Sequence, residues 1–159
     1  MCGLRNVGNT CFMNSILQCI FATPLLNEYF LKGSYDKDLN TRSPTKGKLA
    51  EAYAALIERV RSSSTSSESP TDLKYVVSRY APQFSGYDQH DSQEFLRFLL
   101  DGMHEDLNRI KKKPAYKELD FPGEPEDYQS EQWSNYYALR DDSIIMDVFG
   151  GQLMSKIEC

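Results

Sequence analysis

Histidine and cysteine are scarce in this 159-residue chain, and long apolar runs and basic stripes are missing. The four cysteines, Cys2, Cys11, Cys19 and Cys159, have irregular separations and no paired spacing. They make no disulfide framework, so a reducing intracellular setting, cytoplasm or nucleus, is expected. No apolar run approaches the ~20 residues that a bilayer span requires. No basic start leads into an apolar stretch as in a secretory signal. The net charge is −5, and residues 101–142 hold 11 acidic against 6 basic side chains. Lys111-Lys112-Lys113 reads as a solvated helix end, so a nucleic-acid partner is not expected. No internal repeat is present.

What is present is a globular composition, 40% hydrophobic, on a chain long enough for one domain with a real core. Apolar positions at helical spacing predict a helix from about Cys11 to near Pro24, with Phe12, Met13, Ile16, Leu17, Ile20 and Phe21 on its buried stripe. Gly33 to Gly47 reads as loop or ragged helix. A second helix is predicted over Lys48–Arg61, carrying Leu49, Tyr53, Leu56, Ile57 and Val60. Ser62 to Ser69 is almost all serine and threonine and reads as a flexible connection. Ser69 then caps a new helix with Pro70 in its first turn and Leu73, Val76, Val77 and Tyr80 on its apolar face, ended by Pro82. The longest helix is predicted over Asp91–Ile110, with Phe95, Leu96, Leu99, Met103, Leu107 and Ile110 buried. Lys113 to Asp127, with three prolines, is a surface loop. Trp133, Tyr136, Tyr137 and Leu139 mark a short helix whose aromatic face is expected in the core. Asp142 or Ser143 caps a last turn, Ile144 to Phe149, and alternation from Gln152 suggests a strand beginning.

One stretch combines these signals with chemistry: Gly3-Leu4-Arg5-Asn6-Val7-Gly8-Asn9-Thr10-Cys11-Phe12-Met13-Asn14-Ser15. Asn9 and Thr10 are both good N-cap residues, which puts Cys11 in the first helical turn. A thiol there faces unpaired backbone N–H groups and the positive end of the helix dipole, and both favour a thiolate. Cys19 lies inside the same helix among Leu17, Ile20 and Phe21 and reads as a packing residue. Eight helical residues span ~12 Å, whereas a disulfide needs Cα atoms within ~7 Å, so Cys11 and Cys19 cannot be bridged.

The run G-L-R-N-V-G-N-T-C-F-M-N-S-I-L-Q-C resembles the cysteine box of the ubiquitin-specific proteases, a family of papain-like deubiquitinating enzymes. The resemblance implies that Cys11 is the nucleophile and that Asn6 stabilises the oxyanion of the tetrahedral intermediate, a task for a preorganised amide donor. A second stretch, Gln89-His90-Asp91-Ser92-Gln93-Glu94-Phe95, resembles the glutamine box of the same family, usually Q-Q-D-A-Q-E-F. His90 and Ser92 depart from that pattern; Gln89, Asp91, Gln93 and Glu94 keep it. Read without the family, Asp88, Asp91 and Glu94 complement a helix N-terminus. With it, the helix borders the channel for ubiquitin's C-terminal tail, and Gln89, Asp91, Gln93 and Glu94 become substrate-binding residues. Asp91 and Glu94 would pair with arginines of the tail.

Cysteine-dependent acyl transfer also needs a base and a group that orients it. Only His90 and His104 are present, and neither sits in a counterpart of the family's histidine box. The resemblance therefore implies a mainly α chain: residues 1–151 form the helical N-terminal lobe of a papain-like fold that is α+β when complete. Residues 152–159 begin a strand leading towards a β and zinc-ribbon region. Nothing in the chain calls for a cofactor. Cys159 is placed like the first ligand of such a ribbon, but one cysteine makes no metal site and none is assigned. The function implied is a thiol-dependent ubiquitin C-terminal hydrolase, with ubiquitin and ubiquitinated proteins as partners. The alternative is a helical module that binds ubiquitin or a scaffold without turnover.

Overall fold

A computed structural model describes residues 2–155. The apolar stripes read from the sequence become helices: α1 (Cys11–Phe21), α2 (Pro24–Leu31), α3 (Tyr35–Asp38), α4 (Lys48–Ser62), α5 (Thr71–Tyr80), α6 (Ser92–Leu107), α7 (Glu126–Ala138) and α8 (Ile144–Phe149), with a 3-10 turn at Pro82–Phe84. Two short strands, β1 (Gly3–Leu4) and β2 (Ser67–Glu68), pair in parallel. The chain is mainly α, as expected. No helix among the described residues is long and apolar enough to cross a membrane.

The core lies between α1, α4 and α6. Phe12, Met13, Leu17, Leu49, Tyr53, Leu56, Ile57, Phe95, Leu99, Met103 and Leu107 are all buried there. Each such side chain removed from water contributes about 1.5–3 kcal/mol. Five aromatic rings fill the end nearest the N-termini of α1 and α6: Phe12 stacks on Phe84, and Phe95, Phe98 and His90 surround the pair.

A carboxylate sits inside this packing. Asp106, on α6, has no accessible surface. Its Oδ1 accepts hydrogen bonds from the Ser43 and Thr45 hydroxyls and from the Gly47 N–H at 3.0 Å. Its Oδ2 accepts from the backbone N–H groups of Leu49 at 3.0 Å and Ala50 at 3.1 Å. Helix α4 has glycine at its N-cap, with φ +80°, and therefore no side-chain cap of its own. A carboxylate from another helix satisfies the N–H groups that every helix start leaves unpaired.

The C-terminal end of α6 is tied to α8 in the same manner. Asn108 donates to Arg140 O and accepts from Ile110 N and Asp142 N. This turns the chain at Leu107, three residues before the Ile110 end predicted above. His104 bonds Ser143 Oγ at 2.8 Å, the hydroxyl that caps α8 by accepting from Met146 N. Arg109 pairs with Asp38 at 3.0 Å and Asp142 at 2.6 Å.

Several expectations need correction. Pro24 ends one helix but also opens α2, because proline fits the first helical position. The serine-rich connection holds β2. Pro70, not Ser69, occupies the N-cap of α5, and the Ser69 hydroxyl bonds Thr71 Oγ1 instead. Helix α7 buries none of its residues. Its aromatic side chains pack on one another rather than into the core, Trp133 stacking on Tyr137 at 5.6 Å. Gln152 to Ser155 form no strand, and the rest of the expected strand, with Cys159, lies outside the described residues.

Replacing Asp106 with alanine strands five donors and should lower stability by about 3 kcal/mol or more. The measurement is the urea midpoint at unchanged slope. Asp106→Asn should lose a large part of that, since an NH2 then meets N–H donors. A loss under about 1 kcal/mol in both variants would show that α4 needs no cap from α6.

Candidate active site

The site begins where β1 runs into the turn before α1. Two α1 side chains one helical turn apart hold the incoming backbone: Asn14 Nδ2 donates to Arg5 O at 3.1 Å, and Gln18 Nε2 to Cys2 O at 3.1 Å. Inside the turn, Asn6 Oδ1 accepts from Gly8 N and Thr10 N, both at 3.1 Å, and from Thr10 Oγ1 at 3.3 Å. Three donors converging on one oxygen leave no ambiguity about which way the amide points. The Asn6 NH2 group therefore faces outward, and the residue is exposed. Thr10 occupies the N-cap position, yet its hydroxyl does not cap α1 as expected; it accepts from Val7 N at 3.1 Å while bonding Asn6.

Gly8 and Asn9 have positive φ, +106° and +49°. At Gly8 a Cβ would also lie 2.4 Å from the Tyr87 ring. The turn is fastened to the segment before α6: Asn9 Nδ2 donates to Tyr87 O at 2.7 Å, and Lys74 Nζ bridges Val7 O and Gly86 O at 3.1 Å each. The Lys74 ammonium also lies 5.0 Å from the Tyr87 ring centre, in cation–π range.

Cys11 is the first residue of α1 and is exposed. Its Sγ donates to Gln89 Oε1 at 3.2 Å. Cys19 is exposed as well, against the packing role expected for it, whereas Cys2 is buried. The two boxes singled out in the sequence, 78 residues apart between Cys11 and Gln89, thus meet at the Cys11 sulfur as well as through Phe12 on His90 and Phe95. Asp91 is the N-cap of α6: one oxygen, Oδ1, accepts from Gln93 N at 2.7 Å and Glu94 N at 3.1 Å. Its other oxygen, and the exposed side chains of Gln93 and Glu94, are available at the surface.

Neither histidine is presented for proton transfer. His90 packs edge-on against the stacked Phe12 and Phe84 rings, with centroids 5.1 and 5.3 Å away, and its Nε2 is buried without a hydrogen-bond partner among the described residues. His104 lies twelve residues into α6, ~18 Å from its start at the helical rise. Both its ring nitrogens are engaged, with Ser143 and with Asp141 at 3.2 Å.

Among the described residues, His104, Glu105 and Asp141 form the cluster with metal-ligand geometry. It already holds a cation: Lys113 Nζ lies 2.7 Å from Glu105 and 2.9 Å from Asp141. Burial works against the Asp141 carboxylate, but the hydrogen bonds and charges of Lys113 and His104 outweigh it and keep its pKa below the usual range. The cluster is a clamp between α6 and the 140–143 segment.

The sequence reading missed Lys74, Tyr87, Asn14 and Gln18. The last two carried a signal, a polar pair at i, i+4 on an otherwise apolar helix. Lys74 and Tyr87 carried none. Asn6→Ala should destabilise the domain by about 1–2 kcal/mol through the stranded N–H groups, while Asn6→Asp, which keeps the acceptor, should stay near wild type. Thermal unfolding of both variants is the check; equal losses would mean that the oxygen does not organise the turn.

A protein-family model, ubiquitin carboxyl-terminal hydrolase, matches residues 2–159. Ubiquitin carboxyl-terminal hydrolase 4 of Mus musculus is 51% identical over 162 residues, covering 100% of this chain and 17% of that protein. Ubiquitin carboxyl-terminal hydrolase 15 of Homo sapiens is 49% identical over 162 residues, covering 100% of this chain and 16% of that protein. This chain therefore spans about a sixth of the length of these relatives. A solved structure of the SAGA Ubp8/Sgf11/Sus1/Sgf73 DUB module bound to ubiquitin aldehyde matches with a TM-score of 0.56 and 26% identity, covering 67% of this chain and 24% of that one. With that family model matching residues 2–159 and such relatives identical at about half of the positions, this chain belongs to the ubiquitin carboxyl-terminal hydrolase family.

Proposed function

We propose that this chain is the nucleophile-bearing helical lobe of a thiol-dependent deubiquitinase that cleaves the bond after ubiquitin's terminal glycine. The observation that carries the reading is the arrangement at the start of α1. An exposed thiol sits on the first helical residue, beside a turn that spends the Asn6 oxygen on itself and leaves the Asn6 NH2 free.

In this reading the Cys11 thiolate attacks the glycine carbonyl carbon, and the carbonyl electron pair moves onto oxygen. Asn6 Nδ2 donates to that oxyanion, with the amide preorganised by its three fixed donors. Collapse expels the amine, which takes a proton from a general acid, and leaves a thioester that water hydrolyses. Asp91 and Glu94 offer carboxylate oxygens to a cationic tail, and Gln93 an amide. In this reading neither histidine is the proton donor: His90 packs edge-on on two phenylalanines with its Nε2 buried, and His104 is tied down at the far end of α6. The base is then supplied from outside these residues.

The chain alone should therefore not turn over a fluorogenic ubiquitin amide, because the missing base contributes about 10²–10⁴ in rate. In a catalytic domain carrying this lobe, a ubiquitin C-terminal electrophile should trap Cys11; Cys11→Ser should abolish the adduct and Cys19→Ser should retain it. Adduct formation at Cys19, or multiple turnover by the chain alone that is lost on His90→Ala, would overturn the assignment.

The double change Asp91→Asn and Glu94→Gln should weaken ubiquitin binding, and the deficit should shrink as salt screens the intact site. Asparagine caps helices as well as aspartate, so α6 is preserved. A deficit that does not vary with salt points to a structural defect and removes these carboxylates from the binding site.

A further inference from the structure

We propose that Gln89 acts on the nucleophile itself: its side-chain amide accepts the S–H of resting Cys11 and, turned about its terminal bond, donates an N–H to the thiolate. The proposal rests on the reading of Cys11 as nucleophile and goes beyond a tail-binding role for Gln89.

Three observations support it. Gln89 Oε1 lies 3.2 Å from Cys11 Sγ, so the amide touches the reacting atom. Its Nε2 has no hydrogen-bond partner among the described residues, and the residue is exposed, so the amide is free to turn. The backbone on both sides is fixed, by Asn9 on the Tyr87 carbonyl, by Lys74 on the Gly86 carbonyl, and by the edge-on packing of the half-buried His90 ring on Phe12 and Phe84. A mobile amide on an anchored segment is held at the sulfur in either orientation.

The two orientations differ in strength. A thiol is a weak donor, so S–H···O adds little to the resting state. An N–H bond to a thiolate is charge-assisted and roughly twice as strong as a neutral one. The net effect of Gln89 is to favour the thiolate. Charged groups on the neighbouring elements are Lys74 on α5, Asp88 and His90 in the connecting segment, Asp91 and Glu94 at the start of α6, and Arg5 before the turn. All of them stay in place when Gln89 is changed.

The test is the pH profile of Cys11 alkylation by iodoacetamide in this chain, read by peptide mass spectrometry with Cys19 as internal reference. The reaction needs no second lobe: the thiol proton leaves to buffer, the sulfur electron pair forms the bond to carbon, and iodide departs with the carbon–iodine pair. Gln89→Ala should slow Cys11 alkylation about tenfold at neutral pH and below, and less at high pH, where the thiol is ionised in both proteins. Gln89→Glu keeps the acceptor but cannot donate and adds a negative charge, so it should move the profile further. The Cys19 profile should move in neither variant. Coincident Cys11 profiles for wild type and Gln89→Ala overturn the role of Gln89 and leave the nucleophile reading standing. A wild-type Cys11 no more reactive than Cys19 overturns both.

Discussion

The buried carboxylate of Asp106 is the constraint on which this helical lobe depends. Five donors from residues 43–50 converge on it, so the start of α4 is fixed to one turn of α6. Burying a carboxylate is costly unless its lone pairs are met, and here they are met by the N–H groups that a helix start must also satisfy somehow. Two liabilities cancel in one contact. With α4 and α6 locked, α1 has a rigid bed: Phe12 lies on Phe95 and Phe84, and the sulfur-bearing residue is its immediate neighbour. The position of Cys11 thus traces back to a side chain at the opposite end of α6.

The same helix separates the two kinds of polar chemistry in the lobe. Towards its C-terminal end, Asn108, Arg109, His104 and Lys113 exchange hydrogen bonds and charge with Asp141, Asp142 and Ser143. These groups hold the fold to itself. A cation placed on Glu105 and Asp141 would have to displace the Lys113 ammonium, which is why a cluster with metal-ligand residue types here is a clamp. Arg109 illustrates the balance: burial opposes its charge, but Asp142 and Asp38 more than offset this and hold it firmly protonated.

Much of this was legible in the sequence, because hydrophobic spacing survives folding. The stripes of α1 and α4, and most of that of α6, are the buried faces, and Cys11 begins α1 as expected although no side chain caps that helix. What was not legible involves tertiary partners. Asp106 falls on the apolar face of α6, three residues after Met103, and an acidic residue at that position was the available hint; its partners lie 56–63 residues away. The early end of α6 follows from Asn108 bonding to the 140–142 segment, which no local pattern announces. Pro24 was read as a stop when it was also a start. The aromatic face of α7 has the composition of a core face, yet its residues pack on one another and on Tyr116 and Phe121 of the preceding loop, and none is buried. What the sequence did not announce at Asn6 is that its oxygen bonds its own turn, and that bonding is what aims the NH2.

That pattern recurs across the site. At the clamp and at the α4 cap, Asn108, His104 and Asp106 are each used at both ends. At the start of α1 and α6, Asn6, Gln89 and Asp91 are each used at one end. Asn6 spends its oxygen on the turn and presents an NH2; Gln89 spends its oxygen on the thiol and presents an NH2; Asp91 spends one oxygen on its own helix and presents the second. Asn6 and Asp91, held by bonds to their own turns, keep little side-chain freedom to lose when a ligand arrives, so bonds to it are made at small entropic cost. A surface assembled from such groups, drawn from three segments and fixed by a carboxylate at the far end of α6, is organised for a ligand outside the lobe.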